Sequence, residues 1–191
     1  YESLKKKYKS LNIKIRPFPS QTGLGNYDYD YASEEEQLNI CYQLSMMILK
    51  IPKIKEELKK RDNTLNDAKI NEVNEHIINY CKQNGLYDLE KLKSIRALNN
   101  EEIPVCPLCL EEIKPESFFE TKKQIEGREV EHNTQAEIAL MHIEALVPTK
   151  FNHKTYNLGW GHEHCNKIQG EHSIKRTIEN LGRILNNQSK T

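Results

Sequence analysis

The sequence has no hydrophobic run long enough to cross a membrane, and hydrophobic residues make up 37% of it, against about 45–50% in average soluble proteins. It also has no net charge, because 28 Lys and Arg residues balance 28 Asp and Glu residues. The first absence argues against a membrane-spanning helix, so we expect a soluble protein. The second means that overall charge argues neither for nor against a polyanionic partner. A core this modest in 191 residues would benefit from a structural metal.

The sequence also lacks the cysteine pattern of a disulfide framework. Its five cysteines are odd in number, and no signal peptide precedes them, so we expect a reducing cytosol. Cys41 and Cys81 fall within helical patterns, where a buried free thiol is the expected role. The sequence begins at Tyr1 rather than at Met, which indicates that residues preceded it.

Charge and turn-forming residues divide the chain into three parts. Residues 1–32 are basic at first and then rich in tyrosine, proline and glycine, which predicts an extended arm. Residues 33–100 predict a helical subdomain. Residues 101–191 differ in character, with acidic side chains dominating 101–144 and basic ones dominating 145–191.

Helical periodicity and capping residues define the helices of the middle part. Ser33-Glu-Glu-Glu36 is a capping box, and further helices are predicted over 52–61, from 66 or 67 to Gly85, and over 88–95. The predicted buried faces are Leu38, Cys41, Leu44 and Ile48 in the first helix, and Ile70, Val73, Ile77 and Cys81 in the third.

The last part mixes strand and helix patterns. Residues 111–137 read as an acidic polar insertion, 138–147 as a strand that enters a loop lasting to Asn157, and 164–169 as a short helix. Ser173 is a candidate cap for a final amphipathic helix with Ile174, Ile178, Leu181 and Leu185 on one face. The whole chain therefore predicts an α+β protein with a helical N-terminal subdomain.

Two ligand pairs in this part have the spacing of a zinc site. Cys106-Pro-Leu-Cys109 and His162-Glu-His-Cys165 can each turn back and offer two side chains to one tetrahedral ion. His164 competes with His162, but its spacing to Cys165 is poor, so we place it beside the site or facing DNA. Four ligands would close the site, which favours a structural zinc over a catalytic one.

The order of these residues resembles the HNH (ββα-metal) endonucleases that carry a structural zinc, and most of all a type II restriction endonuclease. That family reads Asp/Glu-His-x-x-Pro, then Asn-Leu, then Cys-x-x-Cys-Asn-x-x-Lys-Gly. Here Glu144-Ala145-Leu-Val-Pro148, Asn157-Leu158 and His162-Glu-His-Cys165-Asn166 follow the same order, with Gln169 in place of the lysine before Gly170. The resemblance covers about residues 101–172 and implies a zinc-stapled ββα-metal domain.

The resemblance also implies the catalytic roles. Glu144 and Asn166 match the residues that hold Mg²⁺ or Mn²⁺, and Asn157 matches the asparagine that ties the loop to the hairpin. Ala145 occupies the position of the general-base histidine. The chain is therefore expected to be a nuclease whose base is missing.

Three other readings of this region stay open at the level of sequence. His142 is an alternative base, and strand alternation puts it on the same face as Glu144, near the metal. Glu131-His132 copies the family dipeptide, but nothing after it fits. Glu144 and Asn166 could also be an ordinary surface carboxylate and helix cap, which the shared order of landmarks argues against.

Basic side chains near these motifs predict contacts with DNA phosphates. Trp160 is expected to pack between the zinc ligands and the hairpin rather than to stack on a base. The candidate phosphate contacts are Lys150, His153, Lys154, Lys167, Lys175 and Arg176.

The expected function is a metal-dependent double-stranded DNA endonuclease of the bacterial cytoplasm, and a restriction enzyme in particular. Symmetric cutting of two strands needs two active sites, so we expect a homodimer. The helical subdomain over residues 33–100 is expected to supply DNA contacts or the dimer interface. One alternative is an HNH nuclease of another defence system or mobile element, and another is a natural pseudonuclease that only binds DNA. An engineered His-to-Ala change at position 145 is the favoured explanation for a missing base beside intact metal ligands.

Overall fold

A computed structural model describes residues 16–18, 26–28, 32–120, 137–147 and 152–190. Over these residues the chain is an α+β protein, as predicted, with helices and two antiparallel two-stranded sheets, β1–β2 and β3–β4. The strands are β1 (Arg16–Phe18), β2 (Asn26–Asp28), β3 (Ile138–His142) and β4 (Leu158–His162). The helices are α1 (Glu34–Leu49), α2 (Ile54–Arg61), α3 (Asp67–Gln83), α4 (Leu89–Ser94), α5 (Glu163–Gln169) and α6 (Ile174–Gln188).

Side-chain caps fix the starts of four helices. The Ser33 hydroxyl accepts from the Glu36 N–H at 3.1 Å, which confirms the cap predicted for α1. Asn66, Asp88 and Ser173 cap α3, α4 and α6 in the same way, each accepting from the N–H three residues on. A cap satisfies a backbone donor that the first turn leaves unpaired, so a short polar side chain predicts a helix start from local sequence alone.

The buried face of α1 differs from the prediction. Leu38 is 49% exposed and Cys41 is exposed. Instead, Gln43 is buried at 2% exposure; its amide donates to the Leu86 carbonyl and its oxygen accepts from the Tyr156 N–H. The helix packs against both α3 and β4. These tertiary contacts decide which of its faces is buried, and the periodicity of α1 does not predict them. α1 buries Ile40, Gln43, Leu44, Met46 and Met47.

The predicted faces of α3 and α6 are also only partly buried. In α3, Ile70 and Cys81 are buried, whereas Val73 is 53% exposed. In α6, Ile174 is buried and the apolar residues after it are exposed. The predicted strand over 138–147 is shorter than expected, because the β3–β4 ladder ends at His142.

Two hydrophobic clusters form the core. The first joins residues of α1, α3 and α4 to Leu158 of β4, and the second joins Ile51 and Ile54 to Cys106, Met141 and other residues of the C-terminal part. Trp160 packs against both clusters, and its indole N–H donates to the Leu44 carbonyl at 3.1 Å. The helical and C-terminal parts thus share their core, and the division into a subdomain at about residue 100 stays a prediction.

Parts of two predicted segments can be compared with the structure. Within the arm predicted over 1–32, β1 and β2 pair as a short antiparallel ladder, and the rest lies outside the described residues except Ala32. The predicted acidic insertion over 111–137 is wrong at its start, because Ile113 is 1% exposed and belongs to the second cluster. Glu131-His132 lies outside the described residues.

Candidate functional site

The four predicted zinc ligands converge at one point. Cys106 and Cys109 lie in a tight turn, in which the Leu110 N–H donates to the Cys106 carbonyl at 2.8 Å. His162 ends β4, and Cys165 lies in the first turns of α5. The four ligand atoms all lie within 4.8 Å of one another. The Cys109 Sγ is 3.4 Å from the His162 Nδ1. Two backbone turns separated by more than fifty residues therefore present three sulfurs and one imidazole to a common centre.

The chemistry of this cluster suits a soft divalent cation. Burial would raise the pKa of Cys106, but hydrogen bonds from His162 and from backbone N–H groups outweigh burial and lower that pKa to about 6. Burial raises the pKa values of Cys109 and Cys165, and the neighbouring Cys106 raises both further. A cation at the centre would remove this mutual repulsion between thiolates. The Cys3His cluster could thus hold a metal such as zinc, and the choice of ion is a proposal.

His164 lies outside the cluster. Its side chain is exposed, and its ring stacks on that of His162 with 5.3 Å between the ring centroids. The placement agrees with His162 as the fourth ligand and His164 as its neighbour.

The cluster is attached to a strand–strand–helix element. β3 and β4 pair antiparallel from Ile138–His162 to His142–Leu158, and α5 follows β4 and packs on both strands. Gly161 permits this packing, because a Cβ at that position would overlap the Met141 side chain and lie 3.3 Å from the Cys106 Sγ. Because residue 161 is a glycine, β4 can pack closely against the Cys106 turn at this point.

Asn157 fixes the chain just beyond the end of β3. Its side-chain oxygen accepts from the Glu144 N–H at 2.7 Å, and its amide donates to the Glu144 carbonyl at 3.2 Å and to the Asn152 carbonyl at 2.6 Å. The residue is 5% exposed. One buried amide therefore holds both backbone polar groups of Glu144.

Asn152 makes a second clamp, which sequence reasoning missed. Its amide donates to the Ala145 carbonyl at 2.6 Å, and its oxygen accepts from the Val147 N–H at 3.1 Å. No sequence motif includes Asn152, so nothing in the sequence marks it as a residue that bonds to the backbone of residues 145–147. Together Asn152 and Asn157 set the backbone of residues 144–147. Pro148 and Lys150 lie outside the described residues.

Two adjoining cavities open on either side of Ala145. Ala145, Glu171 and His172 line both, whereas Asn166 lines the first and Glu144 lines the second. The structure thus brings the two predicted Mg²⁺ ligands to neighbouring cavities around Ala145 rather than to one. The first cavity, of about 410 Å³, is lined by His142, Ala145, Leu146, Asn166, Gln169, Gly170, Glu171 and His172. The second, of about 590 Å³, includes Glu144, Asn152, Lys154, Tyr156, Asn157, Ser173 and Arg176.

His142 and His153 form a pair beside the first cavity. The His142 Nε2 lies 3.0 Å from the His153 Nδ1. Burial lowers the pKa of His142 to about 4, and the nearby His153 lowers it in the same direction. His142 is therefore a neutral imidazole at pH 7. The same low pKa makes the ring a weak base, because general-base catalysis is most efficient when the pKa of the base lies near the working pH.

Gln169 clamps the far wall of the first cavity. Its amide donates to the His142 carbonyl at 2.6 Å and to the His172 carbonyl at 2.8 Å, and its own oxygen is buried and has no hydrogen-bond partner among the described residues. The side chain thus ties the end of β3 to the turn before α6. In the sequence Gln169 is only the residue that replaces the lysine of the family motif, and this gives no indication of its hydrogen bonds.

The predicted phosphate contacts are spread around these cavities. Lys154 and Arg176 are exposed and line the second cavity, and Lys175 lines a third cavity near Glu144. Lys167 forms an ion pair with Glu163 at 2.6 Å, and His153 contacts His142. Lys154 and Arg176 are thus the candidates nearest to Glu144 and Ala145 that lie in one cavity with them.

The fold and the cluster together define an α+β protein with a Cys3His group that could hold a metal such as zinc. The family model described as BstXI restriction endonuclease matches residues 14–163 of 191, well over half of the chain. The chain belongs to the BstXI restriction endonuclease family. It is accordingly a restriction-type DNA endonuclease, and DNA is its substrate.

The matched span includes Cys106, Cys109, Glu144 and Asn157, and it ends at Glu163, just before Cys165. No curated protein and no solved structure matches the chain. None of the helices in the described part of the chain has the length and apolar content needed to span a membrane.

Proposed function

We propose that the chain is a metal-dependent double-stranded DNA endonuclease of the HNH type. The observation that carries this proposal is the double hydrogen bond of Asn157 to the backbone of Glu144, at the end of a β3–β4 hairpin followed by α5. A clamp at this point gives the side chains of residues 144 and 145 fixed positions between the two cavities. Fixed positions are what hydrolysis requires, since misplacement of a catalytic group by 1 Å can cost on the order of 10²-fold in rate.

The residues around Ala145 fit a hard divalent cation. Glu144 supplies an exposed carboxylate and Asn166 a half-buried amide, and oxygen ligands of these types suit Mg²⁺ or Mn²⁺. The ion, when bound, would stabilise the charge that develops on the scissile phosphate. Lys154 and Arg176, in the cavity that Glu144 lines, would bind the DNA backbone through phosphate contacts that carry no sequence information.

Ala145 would occupy the position of the general base, so the chain as written should bind DNA and cut it slowly. A general base typically contributes on the order of 10²–10⁴ in rate, whereas the phosphate contacts are unaffected by its loss. Ala145 lines both cavities, so a larger side chain at this position would face the space that each encloses.

His142 is a second candidate for the base. One observation favours it, since it lines the same cavity as Asn166, whereas its pKa of about 4, lowered by burial, makes it a weak base at pH 7. If His142 is the base, the chain as written is an active nuclease and Ala145 is its natural residue.

Cleavage assays on three variants separate these assignments. Plasmid DNA is incubated with the chain as written, with Ala145→His, and with each protein carrying His142→Ala. If residue 145 is the base position, Ala145→His raises the cleavage rate by 10²-fold or more, and His142→Ala has a mild effect in that background. If His142 is the base, the chain as written cuts at a normal rate, and His142→Ala alone abolishes cutting. Binding to DNA with no cutting by any variant would favour a DNA-binding pseudonuclease.

A further inference from the structure

The turn that ends at Asn157 has a backbone conformation that one of its residue types disfavours. The Asn157 N–H donates to the Lys154 carbonyl at 3.1 Å and closes a four-residue turn. Within this turn Tyr156 has a φ of 60°, in the left-handed region where glycine is the usual residue. A residue with a Cβ is strained in this region, so the conformation persists only where surrounding contacts hold it.

The helical part of the chain supplies those contacts to Tyr156. Gln43 of α1, which is buried, accepts from the Tyr156 N–H at 2.9 Å. The Tyr156 hydroxyl donates to the Gly85 carbonyl at 2.8 Å and accepts from the Asp88 N–H at 3.1 Å. The Lys91 ammonium lies over the Tyr156 ring, 4.1 Å from its centroid. Contacts to α1, to the turn after α3 and to α4 therefore hold this residue.

Glu36 holds the other central residue of the turn. Its Oε1 accepts from the Thr155 N–H at 2.6 Å, although the two residues are 119 positions apart in the chain. A glutamate three residues after a helix cap usually turns back to the backbone of the cap residue. Glu36 and Gln43 both accept from backbone N–H groups, so α1 fixes the path of the main chain in this turn.

The turn is connected to the two asparagines that set the backbone of residues 144–147. Asn157 is its last residue, and the Asn157 amide also donates to the Asn152 carbonyl. The side chains of these two asparagines bond to the backbone within residues 144–147. A shift of the turn would therefore move both asparagines, and with them the residues on which hydrolysis is proposed to depend.

We propose that Glu36, Gln43 and Tyr156 are positioning residues of this nuclease, through which the helical part of the chain holds residues 144–147 in place. Helix α1 then contributes to catalysis without contacting the reacting atoms. Misplacement of a catalytic group by 1 Å can cost on the order of 10²-fold in rate, so the loss of one such bond should lower the rate more than it weakens DNA binding. The catalytic part of this proposal rests on the proposed function, whereas the link between α1 and residues 144–147 does not.

Glu36 allows the sharpest test, because it is half-buried and lines neither of the two cavities around Ala145. Glu36→Ala removes the bond to Thr155, whereas Glu36→Gln keeps an oxygen that can accept it. The matched control is Glu35→Ala, which removes the same charge from an exposed residue in the same turn of α1. Steady-state cleavage of plasmid DNA is measured with the zinc-loaded chain in whichever background cuts, the chain as written or Ala145→His.

Glu36→Ala should lower kcat by roughly 10- to 100-fold and leave KM for DNA within about threefold of the parent value. Glu36→Gln and Glu35→Ala should both keep kcat within about threefold of the parent. A Glu36→Ala protein with the parent's kcat, or a Glu36→Gln protein that loses as much as Glu36→Ala, would overturn the proposal. An equal loss in Glu35→Ala would also overturn it, because charge at the start of α1 rather than the bond to Thr155 would then set the rate.

Hydrogen exchange of backbone amides, measured without DNA, separates this proposal from the proposed function. In Glu36→Ala the amides of Thr155, Glu144 and Val147 should exchange faster than in the parent and in Glu36→Gln. Faster exchange in a set of proteins of which none cuts DNA would overturn the proposed function and support the link to α1. Unchanged exchange at Glu144 and Val147 would overturn the link, whether or not the proteins cut.

Discussion

The hydrogen bonds of the buried Asn157 side chain predict that replacing this residue lowers the stability of the protein strongly. Asn157→Ala removes three hydrogen bonds, two to the backbone of Glu144 and one to the Asn152 carbonyl. A buried hydrogen bond contributes about 0.5–1.5 kcal/mol net, so the loss should lower the free energy of unfolding by about 2–4 kcal/mol. That is a large fraction of the 5–15 kcal/mol typical of a folded domain.

Asn157→Asp should be worse than Asn157→Ala. A carboxylate keeps an acceptor for the Glu144 N–H, but it also places a negatively charged oxygen against the carbonyls of Glu144 and Asn152, where the amide now donates. Burying an unpaired charge costs more than removing a neutral group. The expected order of stability is therefore Asn157 first, then Ala, then Asp.

Urea unfolding at saturating zinc measures this effect. Fluorescence of Trp160, the single tryptophan, reports on β4 directly. The matched control is Asn71→Ala, since Asn71 is exposed and accepts one bond, from Lys55 at 2.7 Å; this change should stay within about 0.5 kcal/mol. An Asn157→Ala protein as stable as this control would refute the clamp.

Three further predictions concern the metal cluster, the thiols and two glycines. One zinc should bind per chain, and its removal by a chelator should unfold the C-terminal part, because metal binding at a closed site contributes folding energy. Elemental analysis measures the zinc content, and circular dichroism measures the unfolding. Protein that is purified without chelator and lacks zinc would contradict the prediction. In the zinc-loaded protein a thiol reagent at pH 8 should modify Cys41, which is exposed, and leave Cys81 unmodified. Burial raises the pKa of Cys81 to about 11, so its thiol stays protonated and unreactive. Equal rates of modification at the two cysteines would contradict this. Gly161→Ala should lower stability by about 1–3 kcal/mol because its methyl group overlaps Met141, whereas Gly182→Ala, in open space on a helix, should raise it by roughly 0.5–1 kcal/mol, as thermal unfolding would show.

Local patterns predicted the features that depend on a few neighbouring residues. The convergence of Cys106, Cys109, His162 and Cys165 could be predicted because two short turns with fixed spacing leave little freedom in which side chains meet. Helix starts at Ser33 and Ser173 could be predicted because a cap bonds to an N–H three residues on. These contacts need no knowledge of the rest of the fold.

The remaining features depend on contacts between distant segments. Cys41 is expected to be buried but is exposed. Helix α1 packs against both α3 and β4, and the periodicity of α1 alone does not show which of its faces those two elements cover. The pairing of His142 with His153 requires the loop after β3 to fold back, which Asn152 and Asn157 bring about through bonds to backbone groups. A hydrogen bond to a backbone group does not depend on the residue type of its partner, so it leaves no pattern in the sequence.

The dependence of cutting on a divalent cation tests the central claim most directly. In the Ala145→His protein, with zinc retained, plasmid cleavage should require added Mg²⁺ or Mn²⁺ and leave 5′-phosphate and 3′-hydroxyl ends. A further change, Glu144→Ala or Asn166→Ala, should abolish cleavage, while DNA binding measured by gel shift persists, because the phosphate contacts remain. Cleavage that survives both changes, or an Ala145→His protein that binds DNA with its zinc in place and never cuts, would contradict the assignment of Glu144, Ala145 and Asn166 as the active site.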